Sequence, residues 1–367
     1  MSPVEATLPE LVKNEKLQEA YSLIEQRDQT VLNAQDPAGR TALHWAADKR
    51  NVDIVDALIQ AGANLDIKDT KGNTALMLTV TYKYVEGRDE RAPFGALLRA
   101  KANLNIQNTD GNTALMLTTM DDYYAYYLIK AGADPNISNK AGDTALILAV
   151  TYNYTTIALE LIEAKANLNT QDGNKMTALH WAVRNNNFKI VKKLIDNDAE
   201  RDIQDIDSYT PLMHAAINGR VKIAQALIAA KANLNLQADQ TLVRKNKFGQ
   251  EEPVATKGDT ALMIALRKAK PKFDILTGDH TKIALTLIKA EADLTLKNSK
   301  KETAFSIAKD IKNSKIDKAL REASAKKEKT PSGTQKRKKS AQAQPTTPAE
   351  KGAEKQPDPV GPEQQEA

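Results

Sequence analysis

No cysteine occurs in these 367 residues. Disulfides and thiolate metal sites are therefore excluded, and the redox compartment is left open. Aromatics are scarce, at 5%, which suits a chain of many small helices rich in Ala and Leu better than one of sheets. No run of about 18 apolar residues is present, which argues against a membrane span. The opening MSPVEATLPELVKNEK lacks the apolar core of a secretory signal, so a cytoplasmic location is expected; delivery of the intact chain into a host cell by another route is compatible with the same residues. Four histidines with no carboxylate at ligand spacing offer no metal site. No G-x-x-x-x-G-K-S/T, G-x-G-x-x-G, H-E-x-x-H or G-x-S-x-G stretch appears. Asp121-Asp122 reads as solvated turn charge with no partner base. Neither an enzyme nor a cofactor is expected.

What the chain does have is a period. Residues 205–237, DIDSYTPLMHAAINGRVKIAQALIAAKANLNLQ, read as one structural unit. Thr210 suits a helix N-cap and Pro211 the first helical position. Leu212, Ala215 and Ala216 follow at helical spacing, and Asn218-Gly219 breaks the helix. Ile223, Leu227 and Ile228 mark the apolar stripe of a second helix, and 231–237 suits an extended arm. A helix pair this small cannot bury its apolar face alone and needs a copy of itself on each side.

The copies are present. The stretch GNTALMLT recurs unchanged at 72–79 and 111–118. Thr-Ala-Leu or a close variant starts at Thr41, Thr74, Thr113, Thr144, Thr177, Thr210, Thr260 and Thr303, and arms such as 63–66, 102–105, 133–136 and 166–169 precede most of them. The composite, G-x-T-A-L-H then I-V-x-x-L-I then G-A-N-L, resembles the ankyrin repeat family over roughly 36–320. The resemblance implies an all-α ankyrin-repeat solenoid: stacked helix pairs with β-hairpin fingers, used as a protein-binding scaffold whose partner it does not name.

On this reading 1–35 is an N-terminal helical cap, with Leu8, Leu11 and Val12 on one short helix and Leu17, Tyr21, Leu23 and Ile24 on a second. About seven repeats occupy 36–297 (36–68, 69–107, 108–138, 139–171, 172–204, 205–237 and 255–297), with an insertion at 238–254 expected as a lengthened hairpin or loose loop. Gly87 and Pro93 place the surplus of the second repeat in its inter-helix turn, and the third, two residues short, calls for a tight turn. A C-terminal cap follows at 298–323, and 324–367, nearly free of large apolar residues, is expected to be a disordered tail. A monomer is expected.

The repeat departs from its family at defined positions. The glycine after each second helix survives at Gly62 and Gly132, while Lys101, Lys165, Asp198, Lys231 and Glu291 replace it. Each replacement costs on the order of 1 kcal/mol at a left-handed position. Lys175 and Ser208 likewise replace the finger glycine seen at Gly39, Gly72, Gly111, Gly142 and Gly258.

Candidate contact residues follow from the resemblance, which implies partner reading at exposed finger positions on the concave face. These are Arg40, Lys71, Asn73, Asp110, Asn112 and Asp143, together with Pro37, Ala38, Thr70, Thr109, Lys140 and Ala141. Eight of ten tyrosines lie between 82 and 154. Tyr82 and Tyr152 hold the same place in two repeats and are expected to be exposed contacts, while Tyr84, Tyr154 and some of Tyr123–Tyr127 pack turns. His44-Trp45 and His180-Trp181 read as structural, the histidine holding the loop and next repeat and the following position facing the core. His214 matches Trp45 in place, not His44. A competing class is an anion-binding module for nucleic acid or an acidic membrane or protein surface. It rests on 312–339, whose eleven Lys or Arg face three acids, and above all on Lys336, Arg337, Lys338 and Lys339. A basic rim from Arg244, Lys245, Lys247, Lys257, Arg267, Lys268, Lys270 and Lys272 would extend it.

Overall fold

One N-cap rule, used over and over, sets the architecture. The structure is a computed structural model that describes residues 6–81, 91–118, 122–245, 251–269 and 278–329. Thr41, Thr74, Thr144, Thr210, Thr260 and Thr303 sit in extended backbone, each with its hydroxyl accepting the N–H three residues on. That bond satisfies an otherwise orphaned donor and fixes where the helix starts. The first helices that follow are Ala42–Asp48, Ala75–Val80, Ala114–Leu117, Ala145–Thr151, Ala178–Arg184, Pro211–Ile217, Ala261–Lys268 and Ala304–Lys309. Their partners are Val52–Ala61, Ala92–Arg99, Asp122–Lys130, Thr155–Glu163, Phe188–Asp196, Val221–Ala229, Asp279–Lys289 and Ser314–Lys329.

First helices pack on first helices and second on second, in two layers. Alanines at the contact, among them Ala46, Ala47, Ala182, Ala215 and Ala216, are fully buried and let the short helices approach closely. The second layer is held by a leucine spine of Leu58, Leu97, Leu128, Leu161, Leu194, Leu227 and Leu287, each at 0% exposure. Burying each leucine contributes roughly 1.5–3 kcal/mol. At the start, Leu8–Lys13 packs on the first layer and Leu17–Glu25 on the second. Leu8, Leu11, Val12 and Ile24 are buried as their spacing predicts.

Between helix pairs the chain makes a finger and an arm, and both bind the next copy. At finger bases such as those of the second, third and sixth units one side-chain oxygen accepts two backbone N–H groups: Asp69 from Lys71 (2.9 Å) and Asn73 (2.8 Å), Asn108 from Asp110 (3.0 Å) and Asn112 (2.9 Å), Asp205 from Asp207 (3.0 Å) and Tyr209 (2.8 Å). Each finger then takes an N–H from its successor. Thr70 donates to Ala38, Thr109 to Lys71, Lys140 to Asp110, Gly173 to Ala141 and Ile206 to Asn174, at 2.8 to 3.0 Å. The fingers are tight hairpin turns closed by such bonds. In the arms the second Asn or Asp of the A-N-L-N motif accepts the N–H of the next arm. Asn136 takes that of Asn167 (2.7 Å) and Asn169 that of Glu200 (2.9 Å).

The expected left-handed positions are left-handed. Lys101, Lys165, Asp198, Lys231 and Glu291 have φ of 60 to 64°, and Lys175 and Ser208 hold the finger geometry at 55° and 63°. The two glycine classes differ in surroundings. A Cβ on Gly132 would meet nothing within 4 Å, whereas one on Gly72 would lie 2.6 Å from the Thr109 backbone nitrogen. Side chains are thus tolerated after the second helix at the cost of φ alone.

Two places, at Pro93 and at the last helix, differ from the sequence reading. Pro93 stands in the first turn of Ala92–Arg99, buried, instead of in the preceding turn, because proline suits an N-terminal helical position; Gly87 lies outside the described residues. In the third repeat the first helix is Ala114–Leu117, and the turn expected to be tight falls at 119–121, outside the described residues. The inserted segment forms the antiparallel hairpin Leu242–Lys245 with Glu251–Ala255. The last helix runs to Lys329, past the expected end at Ala323, since Ala, Lys and Glu propagate a helix well and no breaker precedes Pro331.

Candidate functional site

Fingers and first helices share one side of the array. The residue four after the N-cap threonine is half-buried in five units, giving the series Trp45, Leu117, Leu148, Trp181 and His214, and buried in three, as Leu78, Ile264 and Ile307. Trp45 and Trp181, expected to face the core, pack against it partly buried. Each indole N–H also reaches the finger base, Trp45 to Asp36 (2.9 Å) and Trp181 to Asp172 (2.8 Å). Each ring is also capped by a cation, with Arg40 4.5 Å and Arg184 4.9 Å from the centroids. His214 takes the Trp place, as its position predicts, with Nε2 2.7 Å from the Asp205 carboxylate. Burial works against the charge on Asp205, but the bonds from His214 and the Tyr209 N–H outweigh it and hold its carboxyl below the usual range.

His44 and His180 hold the loop and the neighbouring repeat. Their Nδ1 atoms receive the Thr41 and Thr177 N–H groups (3.1 Å each), so Nε2 carries the proton and donates to Asn73 O (3.0 Å) and Tyr209 O (3.1 Å). Burial depresses both rings, and His180, with His214 nearby, titrates at about 4.

The finger residues divide in two. Lys71 and Asp110 are exposed at finger tips. Asn73 and Asn112 are half-buried and accept the Asn108 and Asn139 amides (3.1 and 3.0 Å), so their side chains are spent between fingers. Arg40 is held over Trp45 by Asp48 (3.5 Å) and Asp69 (3.9 Å). Burial, then the neighbouring Asp172, raises the carboxyl of Asp143.

Tyr152 is 59% exposed at the end of its first helix, whereas Tyr154 is half-buried beside it, with ring centroids 6.0 Å apart. Tyr82 and Tyr84 lie outside the described residues. Tyr124 is buried against Phe94 (5.0 Å), while Tyr126 and Tyr127 are 41% and 42% exposed on a second helix, away from the fingers. The described tyrosines between 123 and 154 are therefore split between a second helix and the end of a first helix.

Two residues of the basic rim are paired with acids. Lys257 pairs with Asp239 (2.7 Å), and Arg267 is locked to buried Asp259 (2.7 Å) and to Glu302. Lys247, Lys270, Lys272 and Lys336–Lys339 lie outside the described residues, as do the side chains of Arg244 and Lys245. Among the described residues no group of three or more His, Cys, Asp or Glu is placed to hold a metal ion, and no helix is long and apolar enough to cross a membrane.

Two clefts open on this side. One is bordered by Lys13, Pro37, Arg40, Trp45 and Lys71. The other, of about 710 Å³, lies between the fingers of the fifth and sixth units and the inserted hairpin, around Trp181 and Tyr209. Sequence reasoning missed the roles of Trp45, Trp181 and the hairpin wall; the i to i+9 pairing of a finger Asp with Trp or His was the available signal.

Comparison with known proteins adds a family match. The family model described as ankyrin repeats in three copies matches 10–88, 94–172 and 161–238, together more than half of the chain. The first match begins inside the segment read as a cap, whose helices already pack as a repeat does. Neurogenic locus notch homolog protein 1 is 48% identical over 46 residues in Danio rerio and 47% over 47 residues in Mus musculus, which is 12% and 13% of this chain. The chain spans 2% of the length of each of these curated relatives.

Proposed function

Because the chain belongs to the ankyrin repeat family, we propose that it is a non-enzymatic scaffold that binds a protein partner across its concave, finger-bearing face. The observation that carries the proposal is the half-buried series Trp45, Leu117, Leu148, Trp181 and His214 on the first helices, together with the exposed finger tips Lys71 and Asp110. Such a surface offers large rigid contact area under a polar rim, the make-up of protein interfaces. Tyr152, at the far end of one first helix, extends it. The second-helix layer presents ion-paired charge such as Lys192–Asp196 and Lys193–Glu163, which suits solvent.

A photo-crosslinking amino acid placed at Lys71, Asp110 or Tyr152, and separately at Lys192 on the opposite layer, tests this in cell extract. Adducts with the same protein from the three finger-side positions and none from Lys192 are expected. Adducts from Lys192 alone would overturn the proposal.

A further inference from the structure

The cleft beside Trp181 carries a more specific reading, which rests on the concave-face proposal. At this cleft Tyr209 anchors the inserted hairpin by donating to Gln240 O (3.1 Å). Ile264, which matches Trp181 in its own unit, is fully buried in the helix against which the hairpin packs. Leu242 on the hairpin then becomes a wall of the cleft, opposite the Trp181 ring and the Met176 thioether.

The charges in this cleft are unusual for the face. Arg40 and Arg267 are each held by two carboxylates. Arg184 lies on the Trp181 ring with Nη1 3.3 Å from the Met176 sulfur, and has no carboxylate partner among the described residues. Asp207, at the finger tip, is exposed and has no cation partner among them. Next to it Ile206 is 56% exposed, in a place where other fingers carry Thr70, Thr109 or Lys140. One cation on the helix side and one anion on the finger side, neither with an opposite charge beside it among the described residues, thus share a cleft with the apolar Met176, Trp181, Ile206 and Leu242 and the mutually paired Asp205 and His214.

We propose that this cleft seats a short extended segment of the partner in which a bulky aliphatic side chain stands between an acidic and a basic one. The aliphatic group fills the space between Trp181 and Leu242, the partner's carboxylate meets Arg184, and its cation meets Asp207. The opposed charges fix the direction in which the segment lies, because a reversed segment sets like charges against each other.

The chain has two tryptophans, so a Trp45→Phe variant makes Trp181 the sole reporter of the cleft. Blocked peptides Asp-Leu-Leu-Arg and Arg-Leu-Leu-Asp, with uncharged Asn-Leu-Leu-Gln as control, are titrated while its emission is followed. One charged direction is expected to bind at least about fivefold more tightly than the control, the effect of a pair of partly solvated ion contacts. Arg184→Gln and Asp207→Asn should each remove most of that gain, and Asp207→Lys should transfer the preference to the peptide with Glu in place of Arg. Equal affinity for charged and uncharged peptides, insensitivity to both substitutions, or no shift of Trp181 emission at millimolar peptide each overturns the proposal. Binding that survives Arg184→Gln and Asp207→Asn but is lost in a Lys71→Ala/Asp110→Ala variant also overturns it, while the concave-face reading stands. Should Trp45→Phe not fold, the difference in emission between the wild type and Trp181→Phe reads the same titration.

Discussion

Gly72→Ala and Gly132→Ala place the same methyl group at two left-handed positions, with φ of 75° and 88°. Alanine in that region costs about 1 kcal/mol in either case. At Gly132 the new Cβ meets open space, so the loss should end there. At Gly72 it would sit 2.6 Å from Thr109 N and 2.9 Å from Asn108 Cα, both backbone of the next finger. That finger must withdraw by several tenths of an ångström, which stretches the 2.9 Å bond from Thr109 N to Lys71 O. Losing a half-buried backbone bond costs a further 1–3 kcal/mol or so, giving about 2–4 kcal/mol in all. Urea unfolding followed by the two tryptophans separates the effects along the array, since Trp45 lies one unit before Gly72 and Trp181 three units beyond it. Gly72→Ala should move the Trp45 transition to markedly lower urea and the Trp181 transition less. Equal shifts for the two variants would refute the claim that finger glycines are held by the approach of the next finger.

The buried histidines give a pH prediction. His180 binds a proton at about 4 when folded, against 6.5 for the free ring, so between these values the unfolded chain holds more protons and stability must fall as pH drops. Roughly 3 kcal/mol is lost across that window, with His44 adding in the same direction; urea midpoints at pH 7, 5.5 and 4.5 check it, and a flat profile would contradict the buried neutral rings. Arg267→Leu should cost about 3–5 kcal/mol, because Asp259 at 0% exposure loses the cation that compensates it; thermal unfolding reads this. Tyr209→Phe should cost only about 1 kcal/mol overall but should speed amide exchange in Leu242–Lys245, where the hairpin is tethered through Gln240.

The helix pairs were legible because their signals are local. A threonine cap, an alanine-rich short helix and a leucine-bearing long one all lie within one period, and the left-handed lysines could be placed by counting from Gly62 and Gly132. The inserted hairpin was one of two outcomes expected from its length and place. The functional surface was less legible, because its geometry depends on contacts between periods. Trp45 and Trp181 follow a core-forming motif in sequence, which does not reveal that their indole N–H groups are bonded to the finger aspartates nine residues earlier. Asn73 and Asn112 looked available to a partner, yet their oxygens are committed to the next finger. The cleft beside Trp181 needed a wall from an insertion whose sequence says nothing of where it packs. The final helix outran its expected end since its last apolar anchor, Ala323, precedes its last good helix formers.

The inserted hairpin also bears on the order in which the chain assembles. Most side-chain bonds between adjacent units join residues 27 to 39 apart, but across the insertion Asn235 meets Asp293 and Gln237 meets Lys297, separations of 58 and 60. Nucleation is cheapest where loops are short, so docking should begin among the first six units and spread outward. Closing the longer loop costs only about 0.6 kcal/mol more for a doubling in length, a small equilibrium penalty that falls on a single kinetic step. The last two helix pairs are therefore the segment to dock late in refolding and to part first under load, and the cleft walled by Leu242 is completed only when they arrive.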